Sequence, residues 1–287
     1  MRFKVENNHK ISLKNLSTKP NTAQNDKTNK TALKKLRKKL SKLQDKMYAQ
    51  GKYSVLIMLQ GMDTSGKDSL IREVFKDINA RGVNVESFKV PSEKELKHDY
   101  LWRHYITLPE RGKFTVFNRT HYENVLVTRV HPEYILFENI PNINDIADIN
   151  ESFWDNRFEQ ISNFEKHLAQ NGTIILKFFL HLSKEEQKNR LLRRLKIQEK
   201  NWKFSAGDLK ERKLWDKYQF CYEEVLNRTS KTHAPWYIIP ADNKPFARKT
   251  VAQLILETLE KLPIKTPELD AKNKANIQAY IKELEQE

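Results

Sequence analysis

Sulfur chemistry is almost absent from this chain. Among its 287 residues there is one cysteine, Cys221. No disulfide can therefore close within the chain, and a reducing, cytoplasmic setting is expected. Long apolar runs are also missing. The most apolar segment, residues 174–180, is interrupted by Lys177 and falls far short of the roughly twenty residues a membrane-crossing helix needs. Residues 1–10 are polar and lack the apolar core of a secretory signal, so no membrane partner is expected. The eight histidines are scattered, and none is followed by a second ligand at zinc-site spacing. No internal repeat is found. Acid is in deficit: 37 acidic residues face 52 basic ones, for a net charge of +15. That surplus is more than solubility needs and points to an anionic partner: nucleic acid, a membrane surface or a polyanionic substrate.

Against these absences stands one informative stretch, residues 53–69. Its first half, residues 55–59, is a short apolar run that predicts a strand buried on both faces, as in a parallel sheet. Gly61, Gly66 and Lys67 follow with the spacing G-x-x-x-x-G-K. Leu70, Ile71, Val74, Phe75 and Ile78 then recur at helical spacing. Strand, glycine loop and helix together are the context a phosphate-binding loop requires. The glycines let backbone N–H groups turn toward an anion. The helix N-terminus adds its dipole, and Lys67 a full charge. Thr64, Ser65, Asp68 and Ser69 complete the set of expected phosphate-binding residues.

Two departures from the common signature matter. The Ser or Thr that usually follows the lysine and ligates magnesium is replaced by Asp68, with Ser69 one place late. The loop also carries an acid, Asp63. A carboxylate among phosphate-binding N–H groups repels phosphate unless a cation lies between them. Asp63 is therefore read as a magnesium-associated acid.

The rest of the chain alternates strands and helices. Residues 1–30 are polar, rich in Lys, Asn and Thr, and read as an extended arm or mobile tail. Leu33, Leu36, Leu40, Leu43 and Met47 form one apolar stripe on a helix. Strands are expected at 83–90, 114–117, 173–180 and 236–239. Helices are expected at 92–108, opened by Ser92 and Glu95 as a capping box, at 153–168, in two pieces between 184 and 217 broken at 205–207, and at 246–262. Residues 266–287 form a polar helix or tail. The pattern predicts an α/β domain over residues 31–265: a parallel sheet of about five strands, helices on both faces and a helical lid at about 196–217.

Phosphoryl transfer needs positioned phosphates, magnesium and cations against the charge of the transition state. Arg119 ends the third strand, where open α/β sheets bind ligands. Asn118, beside it, stands where a metal-binding acid is usual, and its amide oxygen can ligate magnesium without bringing charge. The basic run from 184 to 217 predicts a lid that closes over phosphates. Arg190 and Arg194, four apart, share one helix face. Lys203, Arg212 and Lys213 lie further along, where a long polyanion could run. A merely charged solvent face is the competing explanation for this run.

These residues resemble the second family of polyphosphate kinases, proteins of the P-loop kinase fold, over about residues 43–262. The loop from Gly61 to Asp68 is similar to the family's G-x-D-x-x-G-K-[GD], which accounts for the missing Ser or Thr. Phe117-Asn118-Arg119-Thr120-His121-Tyr122 resembles its F-[DN]-R-[ST]-x-Y. His121, Glu123 and the Val-Leu-Val-Thr-Arg-Val-His run that follows resemble the subclass accepting both nucleoside mono- and diphosphates. So do Val90-Pro91-Ser92 and the run from His98 to Arg103. Asn201-Trp202-Lys203-Phe204-Ser205, the run from Asp208 to Arg212, and Ala234-Pro235-Trp236 match as well. The resemblance implies a reversible transfer of terminal phosphoryl groups between inorganic polyphosphate and adenine or guanine nucleotides, AMP to ADP and ADP to ATP, with magnesium. It implies metal on Asp63 and Asn118, and the transferred group on Lys67 and Arg119. Arg190 and Arg194 would close from the lid, and the acceptor nucleotide would lie near Arg119, Tyr122, Glu123 and Arg129. A homodimer or homotetramer is implied too.

Two other readings compete. An ATP-dependent nucleoside monophosphate kinase resembling thymidylate kinases would share G-x-D-x-x-G-K, but those enzymes keep a Ser or Thr after the lysine and have less basic lids. A non-enzymatic nucleic-acid-binding protein would explain the charge but not the loop; the chain shows neither zinc-finger spacing nor an RNP-like aromatic motif.

Overall fold

The computed structural model describes residues 3–7, 9–21 and 25–287. In chain order its main elements are α1 (Asp26–Gln50), β1 (Ser54–Gln60), α2 (Lys67–Val74), β2 (Val83–Ser87), α3 (Glu93–Leu96), α4 (Trp102–Tyr105) and β3 (Phe114–Asn118). Then come α5 (Glu123–Val130), α6 (Glu151–Gln170), β4 (Thr173–His181), α7 (Lys184–Lys196), α8 (Ala206–Lys213), α9 (Trp215–Thr229), β5 (Trp236–Pro240), α10 (Lys244–Leu259) and α11 (Ala271–Glu285). The five strands form one sheet in the order β2-β3-β1-β4-β5, and every neighbouring pair is parallel. The order reverses at β1: the chain runs out to β2, returns to β3, then crosses to β4 on the other side. A crevice opens at the carboxyl ends of the strands at such a point.

Every residue of β1 is buried, which is why its sequence is a continuous apolar run and not an alternating one. One core lies between the sheet and α5, α6 and α9, built from Val125, Phe158, Ile161, Tyr222 and Val225 among others. A second lies under α1, α2 and α10, with Leu40, Met47, Leu70, Val251 and Ile255. The leucine stripe of α1 thus packs within its own chain, on α10. The helix starts at Asp26 because the Asn25 side chain accepts from the Thr28 N–H, and it ends at Gly51, whose φ of +62° closes it.

The N-terminal arm differs from a mobile tail where it is described. Val5 N–H donates to Trp236 O at 2.9 Å, and Ile238 N–H donates to Phe3 O at 2.8 Å. The arm thus covers the outer edge of β5, an edge that would otherwise expose unpaired backbone groups. Positions 1, 2, 8 and 22–24 of the predicted arm lie outside the described residues.

Two helix boundaries differ from the pattern-based expectation. The helix expected over 92–108 is two short ones. Ser92 and Glu95 do form the capping box, but Asp99 Oδ1 accepts from the Leu101 N–H at 2.9 Å and turns the chain before α4. In the basic run the first break falls at Ile197, not at 205–207. Asn201 Nδ2 donates to the carbonyls of Arg194 and Leu195, which ends α7; Ser205 then caps α8.

Candidate active site

The loop between β1 and α2 is shaped by its backbone. Gly61 has φ +150°, and a Cβ there would come within 2.9 Å of Leu180 O on the neighbouring strand. Gly66, at φ +107°, caps α2. Of the five non-glycine residues with positive φ among the described ones, two lie at this site: Thr64 at +64° and Arg119 at +62°. Such strain persists only when the surroundings impose it, and it concentrates at functional sites. Here it marks the two segments that face each other across the crevice.

Arg190 imposes much of that shape. It comes from α7 and is buried, 7% exposed. Its Nη1 donates to the carbonyls of Thr64 at 3.0 Å and Ser65 at 2.8 Å. Nη2 donates to Ala241 O at 2.6 Å, and Nε to Glu186 Oε1 at 2.7 Å. The expectation that Arg190 closes from the lid is thereby corrected: its fork is filled by protein carbonyls and ties the loop to the turn that follows β5. Gln187, one turn earlier, donates from Nε2 to Asp63 O at 3.1 Å.

The ionised groups converge above the loop. Lys67 Nζ donates to Gly61 O at 2.5 Å. Burial holds its pKa below the ordinary lysine value, against the pull of Asp63, and Arg119 adds to the depression. Asp63 Oδ1 lies 3.5 Å from Arg119 Nη2. Burial disfavours charge on Arg119, but Glu123 and Asp63 outweigh it and raise its pKa. Asn118 Nδ2 donates to Asp68 Oδ1 at 2.7 Å. Glu123 is held from the end of β1, where Gln60 Nε2 donates to its Oε1 at 2.9 Å. Four buried polar atoms at this place have no partner in the described structure: Gln60 Oε1, Thr64 Oγ1, Ser65 Oγ and Asn118 Oδ1. Buried polar atoms are normally satisfied, so an orphaned set within a glycine loop fits a site whose partner is a ligand.

The residues fit magnesium on the same grounds. The Asn118 Oδ1 acceptor is unsatisfied and Asp63 supplies a carboxylate nearby. Magnesium commonly takes only one or two protein carboxylates, the remaining ligands being water and phosphate. No cluster of three acidic, histidine or cysteine ligands occurs among the described residues, and none is needed for this mode.

Beside Arg119 a cavity of about 300 Å³ opens, walled by Phe88, Val90, Val127, Tyr134 and Phe137 and edged by Glu123. Its mixture of apolar walls and a few convergent charged groups suits a small organic ligand. A larger hollow of about 800 Å³, around Tyr100, Phe153 and Arg157, contains none of the phosphate-site groups.

Two expected nucleotide contacts are not at this cavity. Tyr122 is fully buried; its hydroxyl donates to Glu165 Oε1 at 2.7 Å and accepts from Lys177 Nζ at 2.8 Å. Lys177 in turn binds Glu165 Oε2 at 2.6 Å. Arg129 points to the other side of α5, over the rings of Trp154, Phe158 and Phe220 at 5.6–5.8 Å. Both are scaffold for the strand end that carries Arg119 and Glu123.

The lid residues are placed unevenly. Arg194 Nη1 pairs with Asp208 Oδ2 at 3.0 Å and donates to Lys203 O. Arg212 Nη1 donates to Gln187 Oε1 at 2.7 Å and to Lys184 O, so α8 is linked through Gln187 to the loop at Asp63. Glu211 accepts from the Tyr218 hydroxyl at 2.6 Å and contacts His131 at 2.9 Å. Lys203 and Lys213 are exposed. Gln60 and Gln187 went unnoticed in sequence. The one signal for Gln60 is a lone polar residue closing an apolar run just before the glycine loop.

Comparison with known proteins agrees with this geometry. The family model described as polyphosphate kinase 2 matches residues 23–267. An ADP-polyphosphate phosphotransferase of Rhodopseudomonas palustris is 51% identical over 80% of this chain and 78% of its own. An AMP/ADP-polyphosphate phosphotransferase of Meiothermus ruber is 46% identical over 83% of each. The crystal structure of a polyphosphate kinase 2 from Arthrobacter aurescens TC1 superposes with a TM-score of 0.86 at 34% identity, covering 95% of this chain and 93% of that one. With its glycine loop, strand-end arginine and five-stranded parallel sheet all in place, the chain belongs to the polyphosphate kinase 2 family.

Proposed function

We propose that the protein is a polyphosphate-dependent nucleotide kinase, transferring a terminal phosphoryl group between inorganic polyphosphate and a nucleoside mono- or diphosphate. The observation that carries this reading is the convergence of Lys67, Asp63 and Arg119 over one glycine loop, with a nucleoside-sized cavity opening beside Arg119. Family membership and relatives named for this reaction support it.

The chemistry follows from charge placement. The transferred phosphoryl carries charge on three oxygens, and little covalent help is required. Lys67 leaves its carbonyl contacts to meet that charge, and the loop N–H groups hold the adjoining phosphates. Arg119 bridges the donor end and the acceptor's own phosphate. Asp63 and Asn118 would hold magnesium, which screens phosphate oxygens from one another when bound. Glu123, fixed by Gln60, faces the acceptor cavity, whose apolar walls receive the nucleoside. Use of both AMP and ADP as acceptors, a cytoplasmic setting and a homo-oligomeric assembly belong to the same proposal. No helix among the described residues is long and apolar enough to cross a membrane.

The test is direct. The protein is mixed with polyphosphate, magnesium and AMP or ADP, and product ADP and ATP are measured; ATP plus AMP is the control. Formation of ATP from polyphosphate and ADP, dependent on magnesium, is expected. A protein that uses ATP with AMP but ignores polyphosphate at every chain length is an ordinary nucleotide kinase, and the proposal falls.

A further inference from the structure

The last helix stands outside the catalytic body. Helix α11 (Ala271–Glu285) follows residues 263–270, which hold neither helix nor strand and include Pro263 and Pro267. Proline in such a linker keeps it extended. The helix also lies beyond residue 267, where the family match stops. Not one of its residues is buried. Its polar contacts among the described residues are local: Asp270 Oδ1 accepts from the Asn273 N–H at 2.8 Å, and Lys274 meets Glu268 at 3.6 Å.

The helix is nonetheless amphipathic. Ile277, Tyr280, Ile281 and Leu284 recur at three- and four-residue steps and form one apolar stripe. Of these, Tyr280 is 45%, Ile281 42% and Leu284 69% exposed. A lone helix of this length is marginal in water, and the charges of α11 add to the difficulty. Lys272 and Lys274 lie near its N-terminus, and Glu283 and Glu285 at its C-terminal end. That is the reverse of the order the helix dipole favours; only Lys282 follows it. Local stability therefore does not account for this sequence.

We propose that the stripe is a homotypic contact, in which α11 of one chain packs antiparallel on α11 of a second copy. Charge selects that occupant. In antiparallel order the positive end of each helix receives the other copy's glutamates, and the negative end its lysines, so an order that harms one helix favours the pair. Lys274 and Glu285 are eleven residues apart, three helical turns, and lie on one flank of the stripe. A two-fold axis across the stripe brings Lys274 of each copy beside Glu285 of the other, and the contact is self-complementary. A parallel pair would set like charges together. A lipid surface fits less well: residues 271–287 carry three lysines against three glutamates, whereas helices that lie on membranes have a basic polar face. The paired stripe is short, smaller than a standard stable interface, so the association is weak and depends on concentration. The contact rests on the homo-oligomeric reading given above and supplies its surface.

The test follows the mass of the full-length protein by sedimentation over a range of concentrations at physiological salt, with thermal melting alongside. Wild type should gain mass with concentration. Ile281→Lys/Leu284→Lys should weaken this association about tenfold or more, because apolar burial is lost on both copies, and should leave the melting temperature unchanged. Lys274→Glu and Glu285→Lys, made singly, set like charges in contact and should each weaken association a few-fold. Combined in one chain, they should restore it. A wild type that stays monomeric at every concentration overturns both the contact and the homo-oligomeric reading. An assembly whose affinity is unchanged in Ile281→Lys/Leu284→Lys keeps that reading and overturns the contact. A lower melting temperature in this variant with no change in mass also overturns it, and places the stripe on its own domain. If the combined charge reversal fails to restore association, the antiparallel pairing falls.

Discussion

Two charged assemblies lie within reach of the same strand end, and they are built on opposite principles. Beneath the strand end, Lys177 donates to Glu165, the Tyr122 hydroxyl and Thr229 O at 2.6–2.8 Å, with His121 on the second side of Glu165 at 3.3 Å. All of Lys177, Glu165, Tyr122 and His121 are out of solvent. Burial pushes Lys177 down to about 8. Burial also opposes charge on Glu165, but Lys177 and His121 outweigh it and hold the carboxyl below its ordinary value. At neutral pH both are charged, and within the group of Lys177, Glu165, Tyr122 and His121 the one side-chain donor or acceptor left unanswered among the described residues is His121 Nδ1. Above, at the loop, Lys67 rests on carbonyls and Arg119 is 47% exposed beside Asp63, while Thr64, Ser65 and Asn118 each keep an orphaned oxygen. A satisfied buried network fixes geometry. An unsatisfied one at a crevice waits for a ligand.

The sharpest way to break this contrast is to remove one member of the lower network. Lys177→Met or Glu165→Leu alone leaves a buried charge unpaired and should lower stability by about 3–5 kcal/mol, while the double replacement should restore much of that loss. Denaturant melts read this; equal losses in the single and double variants would show that the ion pair is not the unit. Next in size, Asp63→Asn and Lys67→Ala should cut turnover about a hundredfold or more, with melting points near wild type. Near-normal rates at saturating magnesium would remove the role given to either residue.

Arg190→Lys keeps the charge but loses the fork that holds several carbonyls at once. A tenfold or so loss in turnover is expected, together with a modest loss of stability, because the loop it shapes relaxes. An effect on lid closure alone, with turnover of bound substrate intact, would return Arg190 to the lid. For Glu123→Ala the expected change is smaller and selective, harming AMP use more than ADP use; equal loss on both would end its acceptor-selecting role. Smallest is the lid. Each exposed contact contributes roughly 0.2–1 kcal/mol, so neutralising Lys203, Arg212 and Lys213 together should raise the KM for long polyphosphate a few-fold. That rise should shrink with salt, since screening acts over about 8–10 Å. Arg212 should matter least for the polyanion, as its Nη1 already serves Gln187 and Lys184.

Much of this was legible in the chain itself. The apolar run ending at Leu59, Gly61 and Gly66 at fixed spacing, and the helical period after Lys67 are local features, each decided by neighbours within a few residues. The parallel sheet followed from five short apolar segments separated by helical stretches. Less legible were residues whose meaning depends on distant partners. Arg190 reads as a lid cation because its i+4 neighbour Arg194 is basic; only folding brings the carbonyls of residues 64, 65, 241 and 242 around it. Tyr122 lies inside a binding-like motif, yet its hydroxyl meets Lys177 from β4 and Glu165 from α6.

What the sequence determined by itself is the phosphate loop, the alternation of strands and helices and the cationic excess, because backbone conformation, periodicity and net charge are properties of short segments or of the whole composition. Only the tertiary structure decided which cations are answered. Whether an arginine holds a loop together or stands free for phosphate depends on the acceptors that arrive from elsewhere in the chain, and these are set by strand order and helix packing rather than by the residues on either side of it.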